Sequence, residues 1–279
     1  MTARRMIGDI EVTALSDGPF PAPLDSFVDF ERTEAERLTG RRIDEQIVLP
    51  LNCYLLGLGT AERPKWALVD AGCGSTMGAD LGQLPNALRA CGVTPDAVDY
   101  VLLTHIHPDH STGLIDGAGR AVFPNAELVL HEEEAAFWLD RDESAGATER
   151  VRRNIAKAHK TTAPYRNRMR RVRAGEVFGG VNALPLPGHT PGHTGWLVES
   201  GNNATLIWGD VVHLAAVQVP RPDAALVFDV DPEAARATRR RIFDQVAADR
   251  LRVAGAHLDF PGFGHIVRNG ASYRFEPEN

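Results

Sequence analysis

With 279 residues, 43% of them hydrophobic, the chain can bury a sizeable core, and a charged fraction of 24% is that of an ordinary folded domain rather than a disordered one. A formal net charge of −7 repels phosphate backbones and argues against nucleic acid as a partner. No run approaches the roughly 18 apolar residues of a membrane span, and the opening MTARRMIGDIEV has no apolar stretch of signal-peptide length, so the expectation is no membrane partner and a cytoplasmic location.

IGDIEVTALSDG (7–18) reads as a strand entering a turn. Residues 19–46 are richer in proline and charge, with Phe20, Phe27 and Phe30 spaced among polar residues, and read as an arm or lid rather than core. NCYLLGLG (52–59) and KWALVDAG (65–72) read as two short strands joined by the turn TAERP. LPNALRACG (84–92) has helical spacing and closes on glycine. AVDYVLLTH (97–105) and AELVLH (126–131) are strands, and EEEAAFWL (132–139) opens a helix whose acidic first turn suits the helix dipole. ATERVRRNIAKAH (147–159) is helical, and the basic RNRMRRVR (166–173) is a solvated strand or turn balanced by acidic neighbours. His131 and His159, beside and within these helices, read as surface residues.

NALPLPGHTPGHTGWLVES (182–200) holds a Gly/Pro loop between strands, and NATLIWGDVV (203–212) is a strand ending at an aspartate. PEAARATRRRIFDQVAAD (232–249) is a helix with Pro232 near its first turn, and LRVAGAH (251–257) is the last strand of this kind. Strands and helices mix throughout, which predicts an αβ chain of one domain over 1–279, with residues 1–50 as an N-terminal strand and arm. Three cysteines, Cys53, Cys73 and Cys91, lack CxxC spacing and read as small buried or half-buried thiols. Cys73, in AGCGS, has no matched base in sequence and is no nucleophile.

The chemistry concentrates in THIHPDHSTG (104–113). On an extended segment residues i and i+2 face the same side, so His105 and His107 point together. Pro108 biases His107 toward extended backbone, and Asp109 and His110 follow on the next turn. Crowding imidazoles and a carboxylate gains nothing in packing; the set suits a borderline-soft divalent metal. Two adjacent ions need further donors, and the chain offers His189 in LPGHTPGHTG, Asp210 at the end of ATLIWGD and His257 at the end of LRVAGAH, each at a strand end or in a tight loop. A carboxylate at 210 can bridge two metals. Zinc fits these donors first; iron, manganese and cobalt fit them too. His193, near a ligand loop, is expected to support the ligands by hydrogen bonding.

HIHPDH, PGHTPGH, WGD and AGAH, in that order, resemble the successive motifs of the metallo-β-lactamase superfamily over about residues 50–265. The resemblance implies an α+β fold, an αββα sandwich with a dinuclear site at one edge of its two sheets. It implies that His105, His107 and His189 take one metal, that Asp109, His110 and His257 take the other, and that Asp210 bridges. Asp70, in LVDAG, matches an aspartate that supports a ligand from behind. GDVVHLAAVQ (209–218), AGAHLDFPGFGH (254–265) and the N-terminal arm are similar to the branch of methyl parathion hydrolases and related lactone or aryl-ester hydrolases. In acyl-homoserine lactonases a tyrosine stands three places after the bridging aspartate; here that place is His213, a polar group able to steady an oxyanion or leaving group.

The expected function is therefore a dinuclear metal-dependent hydrolase that uses a bridging hydroxide to open a lactone or cleave an aryl ester, with Asp109 able to hold the transferred proton. An organophosphate triester hydrolase is the alternative, and a non-catalytic metal-binding or redox module is the alternative from another class. The oxygen- and nitric-oxide-reducing branch carries a glutamate where this chain has His107. Phe20, Phe27, Phe30, Phe137, Trp138, Phe260 and Phe263 are candidates to wall an apolar pocket for a small-molecule substrate. The aromatic arm hints at a homodimer.

Overall fold

The computed structural model describes residues 1–23, 26–28, 31–40, 42, 46–60, 62–78, 80–141 and 148–278. The strands are β1 (Thr2–Ile7), β2 (Ile10–Pro23), β3 (Phe27–Val28), β4 (Gln46–Thr60), β5 (Arg63–Val69), β6 (Tyr100–Leu102), β7 (Glu127–His131) and β8 (Met169–Val172), then β9 (Gly175–Phe178), β10 (Val181–Pro185), β11 (Thr194–Ser200), β12 (Asn203–Ile207), β13 (Ala225–Leu226), β14 (Arg252–Ala254), β15 (Phe263–Asn269) and β16 (Ser272–Pro277). The α-helices are α1 (Arg32–Thr39), α2 (Leu84–Ala90), α3 (Pro108–Ser111), α4 (Glu132–Trp138), α5 (Glu149–Thr162), α6 (Ala215–Gln218) and α7 (Pro232–Ala248).

Two seven-stranded sheets form, in the orders β1-β2-β4-β5-β6-β7-β8 and β16-β15-β14-β12-β11-β10-β9. The period-2 pattern of the central strands explains how they stack. In β4, Cys53 and Leu55 turn toward the helices on the outer side, among Leu84, Leu88 and Trp138, while Tyr54 and Leu56 turn toward the second sheet. β7 divides the same way, with Leu128 and Leu130 outward and Val129 inward. Trp196, Val198 and Phe263 complete the layer between the sheets, and on the far side Trp208, Leu206 and Val253 pack against Ile242 and Phe243 of α7. The layers run helix, sheet, sheet, helix, so the expected αββα sandwich is the fold observed.

Three local expectations change. SDG at 16–18 does not end the strand: β2 continues to Pro23, paired with β4 as far as Gln46, and the register shifts between Ser16 and Gly18. That bulge turns Asp17 inward, where it accepts hydrogen bonds from the backbone N–H of Cys73 (2.9 Å) and of Leu84 (2.8 Å). Residues 19–46 are not a bare lid, because Phe27 and Ala35 are buried with Val217 and Leu226, and β3 pairs with β13; Phe30 lies outside the described residues. His131 is buried rather than at the surface, since its Nδ1 caps α4 by accepting from the N–H of Glu133 (3.2 Å). The basic stretch is balanced as expected, Arg170 facing Glu127 and Arg173 facing Glu132. All three cysteines are free, Cys53 and Cys73 buried and Cys91 partly so. Among the described residues no helix is long and apolar enough to cross a membrane.

One polar stitch ties the sheets together beneath the site. Asn52 Nδ2 donates to the carbonyls of Gly255 (3.2 Å) and Leu258 (2.7 Å), and the Tyr54 hydroxyl donates to Gly255 (2.9 Å). These bonds fix the turn that carries His257. Asn52→Ala orphans the buried Leu258 carbonyl, and should cost about 1–3 kcal/mol of stability, read as a lower urea midpoint at unchanged slope.

Candidate metal centre

The site forms where strand ends of both sheets converge. β5 ends in Asp70, a non-glycine residue at φ 61°. That left-handed backbone is costly, and the carboxylate offsets it by gathering three donors. Its Oδ1 accepts from the Thr104 N–H (2.8 Å), and its Oδ2 accepts from the Thr104 hydroxyl (2.8 Å) and from His110 Nδ1 (2.8 Å). Pro108 opens α3, and His107, just before it, has extended backbone (φ −63°, ψ 154°) as the proline requires. Asp109 and His110 follow on that short helix.

Four of the five ligand-type histidines, His105, His110, His189 and His257, spend one ring nitrogen on the scaffold and turn the other inward. His105 Nδ1 meets the Thr104 hydroxyl (3.0 Å), His189 Nδ1 donates to Asp229 Oδ1 (2.8 Å), and His257 Nδ1 donates to the carbonyl of Pro50 (2.9 Å). These bonds fix tautomer and ring orientation. At the centre stands buried Asp210. Its Oδ2 lies 3.6 Å from His105 Nε2, 3.3 Å from His189 Nε2 and 3.3 Å from His257 Nε2, and its Oδ1 lies 3.2 Å from His110 Nε2. His107 Nδ1 is 2.8 Å from His189 Nε2. The donors fall into His105, His107 and His189 on one side, and Asp109, His110, Asp210 and His257 on the other, ligand atoms within 4.8 Å in each group.

These atoms suit cations. His105 Nε2, His110 Nε2, His257 Nε2 and Asp210 Oδ1 are buried with no hydrogen-bond partner. A buried polar atom left this way costs about 1–3 kcal/mol, and several converging on one point are explained by a metal that their lone pairs would bind.

His193 sits behind the donors. Its Nδ1 donates to the Leu186 carbonyl (3.0 Å) and its Nε2 accepts the backbone N–H of Asp210 (3.0 Å), so it sets the position of Asp210. Burial pushes His193 down to about 3 and keeps it neutral, as an acceptor must be. Burial alone would also lower His189, but hydrogen bonds to Asp210 and Asp229 hold it at about 9.

The model of the metallo-beta-lactamase superfamily matches residues 47–257. The chain belongs to that superfamily. Its relatives include the uncharacterized protein YobT of Bacillus subtilis, 32% identical over 60% of this chain; the match spans 64% of YobT's length. An N-acyl homoserine lactonase of Bacillus thuringiensis is 24% identical over 82% of this chain and 86% of its own. The solved structure of the hydrolase AbOPH of the beta lactamase superfamily superposes with a TM-score of 0.91 at 31% identity, covering 100% of this chain and 97% of its own. AidC, a dizinc quorum-quenching lactonase solved in complex with a product, also reaches 0.91, at 26% identity over 100% of this chain and 97% of its own.

In this member of the superfamily His213 joins the centre. Its Nε2 is 3.0 Å from Asp210 Oδ2 and its ring stacks on His257 at 4.9 Å. Gln218 Oε1 accepts the N–H of His213 (2.7 Å), holding the turn in place. Burial pushes His213 down to about 4.

A cavity of about 170 Å³ opens onto His107, Asp109, His189, Asp210, His213 and His257. Phe20 and Trp138 line it, joined by Leu49, Met77, Phe228 and Val230. Phe27, Phe137 and Phe260 do not. Phe27 is buried with Leu226, Phe260 packs on the layer between the sheets, and Phe137 stands beside Trp138 on α4 with Arg141 over its ring. Neighbours on a helix point about 100° apart, so only one of the pair faces the site. Phe263 is likewise spent between the sheets.

Sequence reasoning missed Glu134. It lies in the acidic first turn of α4, yet it is buried, and it staples the two ligand loops. Its Oε1 accepts from the N–H of Ile106 (2.8 Å), between His105 and His107; its Oε2 accepts from the Thr190 hydroxyl (2.6 Å) and the Gly192 N–H (3.1 Å), beside His189. The packing is close enough that a Cβ on Gly192 would lie 2.0 Å from the Glu134 nitrogen, which is why that position is glycine. Three consecutive glutamates give no sign of which one turns inward. Glu134→Gln replaces an acceptor oxygen with an NH2 facing another donor, and should weaken metal affinity about 10- to 100-fold, measured by competition with a chromogenic chelator.

Proposed function

We propose that this hydrolase opens the ring of a lactone carrying an apolar tail, with aryl-ester cleavage as a second reaction of the same geometry. The observation that carries the reading is the set of inward donors without partners at the floor of a largely apolar cavity. The lactonase relatives support it. Two divalent ions, zinc foremost, held by His105, His107 and His189 and by Asp109, His110 and His257 with Asp210 between them, would supply an acidified water and polarise the acyl oxygen.

The chain's own groups do the rest. Trp138, Phe20 and Phe228 receive the apolar tail and exclude water around the reacting carbonyl. His213, neutral and buried at the cavity wall, offers a ring nitrogen to the acyl or leaving oxygen. Asp109 is the more open carboxylate, its side chain 15% exposed against 2% for Asp210. It can take a proton from the attacking water and return it to the departing alkoxide. Asp210, fixed through His193, keeps the donors in register.

The test is a panel of aliphatic lactones, aryl esters and methyl parathion, each with and without chelator. The expected result is chelator-sensitive turnover with a lactone fastest. Turnover of the organophosphate but of no lactone would replace this reading with a phosphotriesterase. His213→Phe is expected to lower kcat by about 10- to 100-fold while metal content per chain stays unchanged. Loss of metal in that variant would instead make His213 a ligand, in keeping with its closeness to His189 and Asp210.

A further inference from the structure

Away from the donors, the cavity wall carries two polar side chains, Arg150 and Asn154. They stand four residues apart on α5 and so share one face of it, where Val151 also lines the cavity. Arg150 lies in the first turn of its helix, next to Glu149, and Thr148 makes the cap. Among the described residues Arg150 forms no ion pair; its guanidinium sits 5.8 Å from the ring of Phe228, which fixes its direction but does not satisfy its donors. The nearest charge that reaches it is Asp229, whose oxygens are already given to His189 and to the N–H of Leu226. The Asn154 side chain makes no hydrogen bond to a described residue and is partly buried. A guanidinium and an amide that point into a largely apolar cavity, without a protein partner and still reached by its solvent, can exchange water for an acceptor carried by a ligand.

We propose that Arg150 and Asn154 form a specificity subsite that binds an oxygen acceptor, a ketone or a carboxylate, on the substrate's tail, so that a plain alkyl tail is a poorer fit than one bearing a carbonyl oxygen. This rests on the lactone reading only in assigning the donor side of the cavity to the reacting carbonyl. A neutral ketone would take one guanidinium N–H and the amide of Asn154. A carboxylate would take the fork of the guanidinium in a bidentate pair.

The experiment uses unreactive ligands, so that it does not depend on turnover. The metal-loaded protein is titrated calorimetrically with hexanoate, with the keto acid of the same length, and with the corresponding dicarboxylate. Each series is repeated over a ladder of chain lengths. At some length one acceptor-bearing ligand should bind about tenfold tighter than the plain acid, and the ranking of ketone against carboxylate names the acceptor. The preference should vanish in R150M/N154L, while kcat on an unsubstituted lactone ring stays as in the wild type. Equal or undetectable binding of all three ligands, or a preference that survives in the double variant, overturns the subsite. Lactone turnover without this preference would remove the subsite and keep the lactonase; the preference without lactone turnover would do the reverse.

Discussion

One buried carboxylate sets the terms for the rest of the molecule. Asp210 faces the inward nitrogens of five imidazoles: those of His105, His189, His213 and His257 from one oxygen and that of His110 from the other. In a dry interior such a cluster is unstable by itself, because the lone pairs crowd one another and lack partners. It persists because the surroundings remove every other choice. Asp70, Asp229, Thr104 and Pro50 occupy the outer nitrogens of four of these rings, His193 holds the Asp210 backbone, and Glu134 clamps the two loops that carry His105, His107 and His189. The scaffold thus holds the donors in a geometry that divalent cations would complete.

The sandwich explains why such a cluster can be built at all. Parallel pairing of β5, β6 and β7 brings Asp70, the HIHPDH stretch and the start of α4 to one edge of the first sheet, and parallel pairing of β12 and β14 brings Asp210 and His257 to the same edge of the second. Both faces of the central strands are buried, so their register is strongly specified, and a one-residue slip would turn each ligand into the core. The Asn52 and Tyr54 bonds then tie one sheet's edge to the other's. Rigidity in the layers is what allows loops at their edge to carry a polar cluster.

Much of this was legible in the sequence, and for a physical reason. HIHPDH makes no sense as packing, and Pro108 dictates the backbone that lets its donors converge. His189, Asp210 and His257 each end a strand or sit in a loop stiffened by glycine and proline, and the ordered motifs carried the superfamily and its fold. The parts that stayed hidden are those decided by contacts between distant segments. Glu134 looks like its two neighbours until the loop at 190–192 is laid against it. Asp229 and Gln218 have no local signature, and nothing in the helical stretch 147–159 sets Arg150 and Asn154 apart from their neighbours. Of the seven aromatics offered for the wall only Phe20 and Trp138, among the described residues, line the cavity, because spacing cannot say, for instance, whether Phe137 or Trp138 turns inward. SDG carried a turn signal, but tertiary pairing made it a bulge that buries Asp17.

We propose that two ions complete the cluster and that hydrolysis depends on both. Metal-free protein should be titrated with zinc while lactone turnover and bound metal are followed in the same samples. Turnover should climb to its plateau only as the second equivalent per chain binds. Full turnover at one equivalent, or any turnover in the metal-free protein, would contradict it.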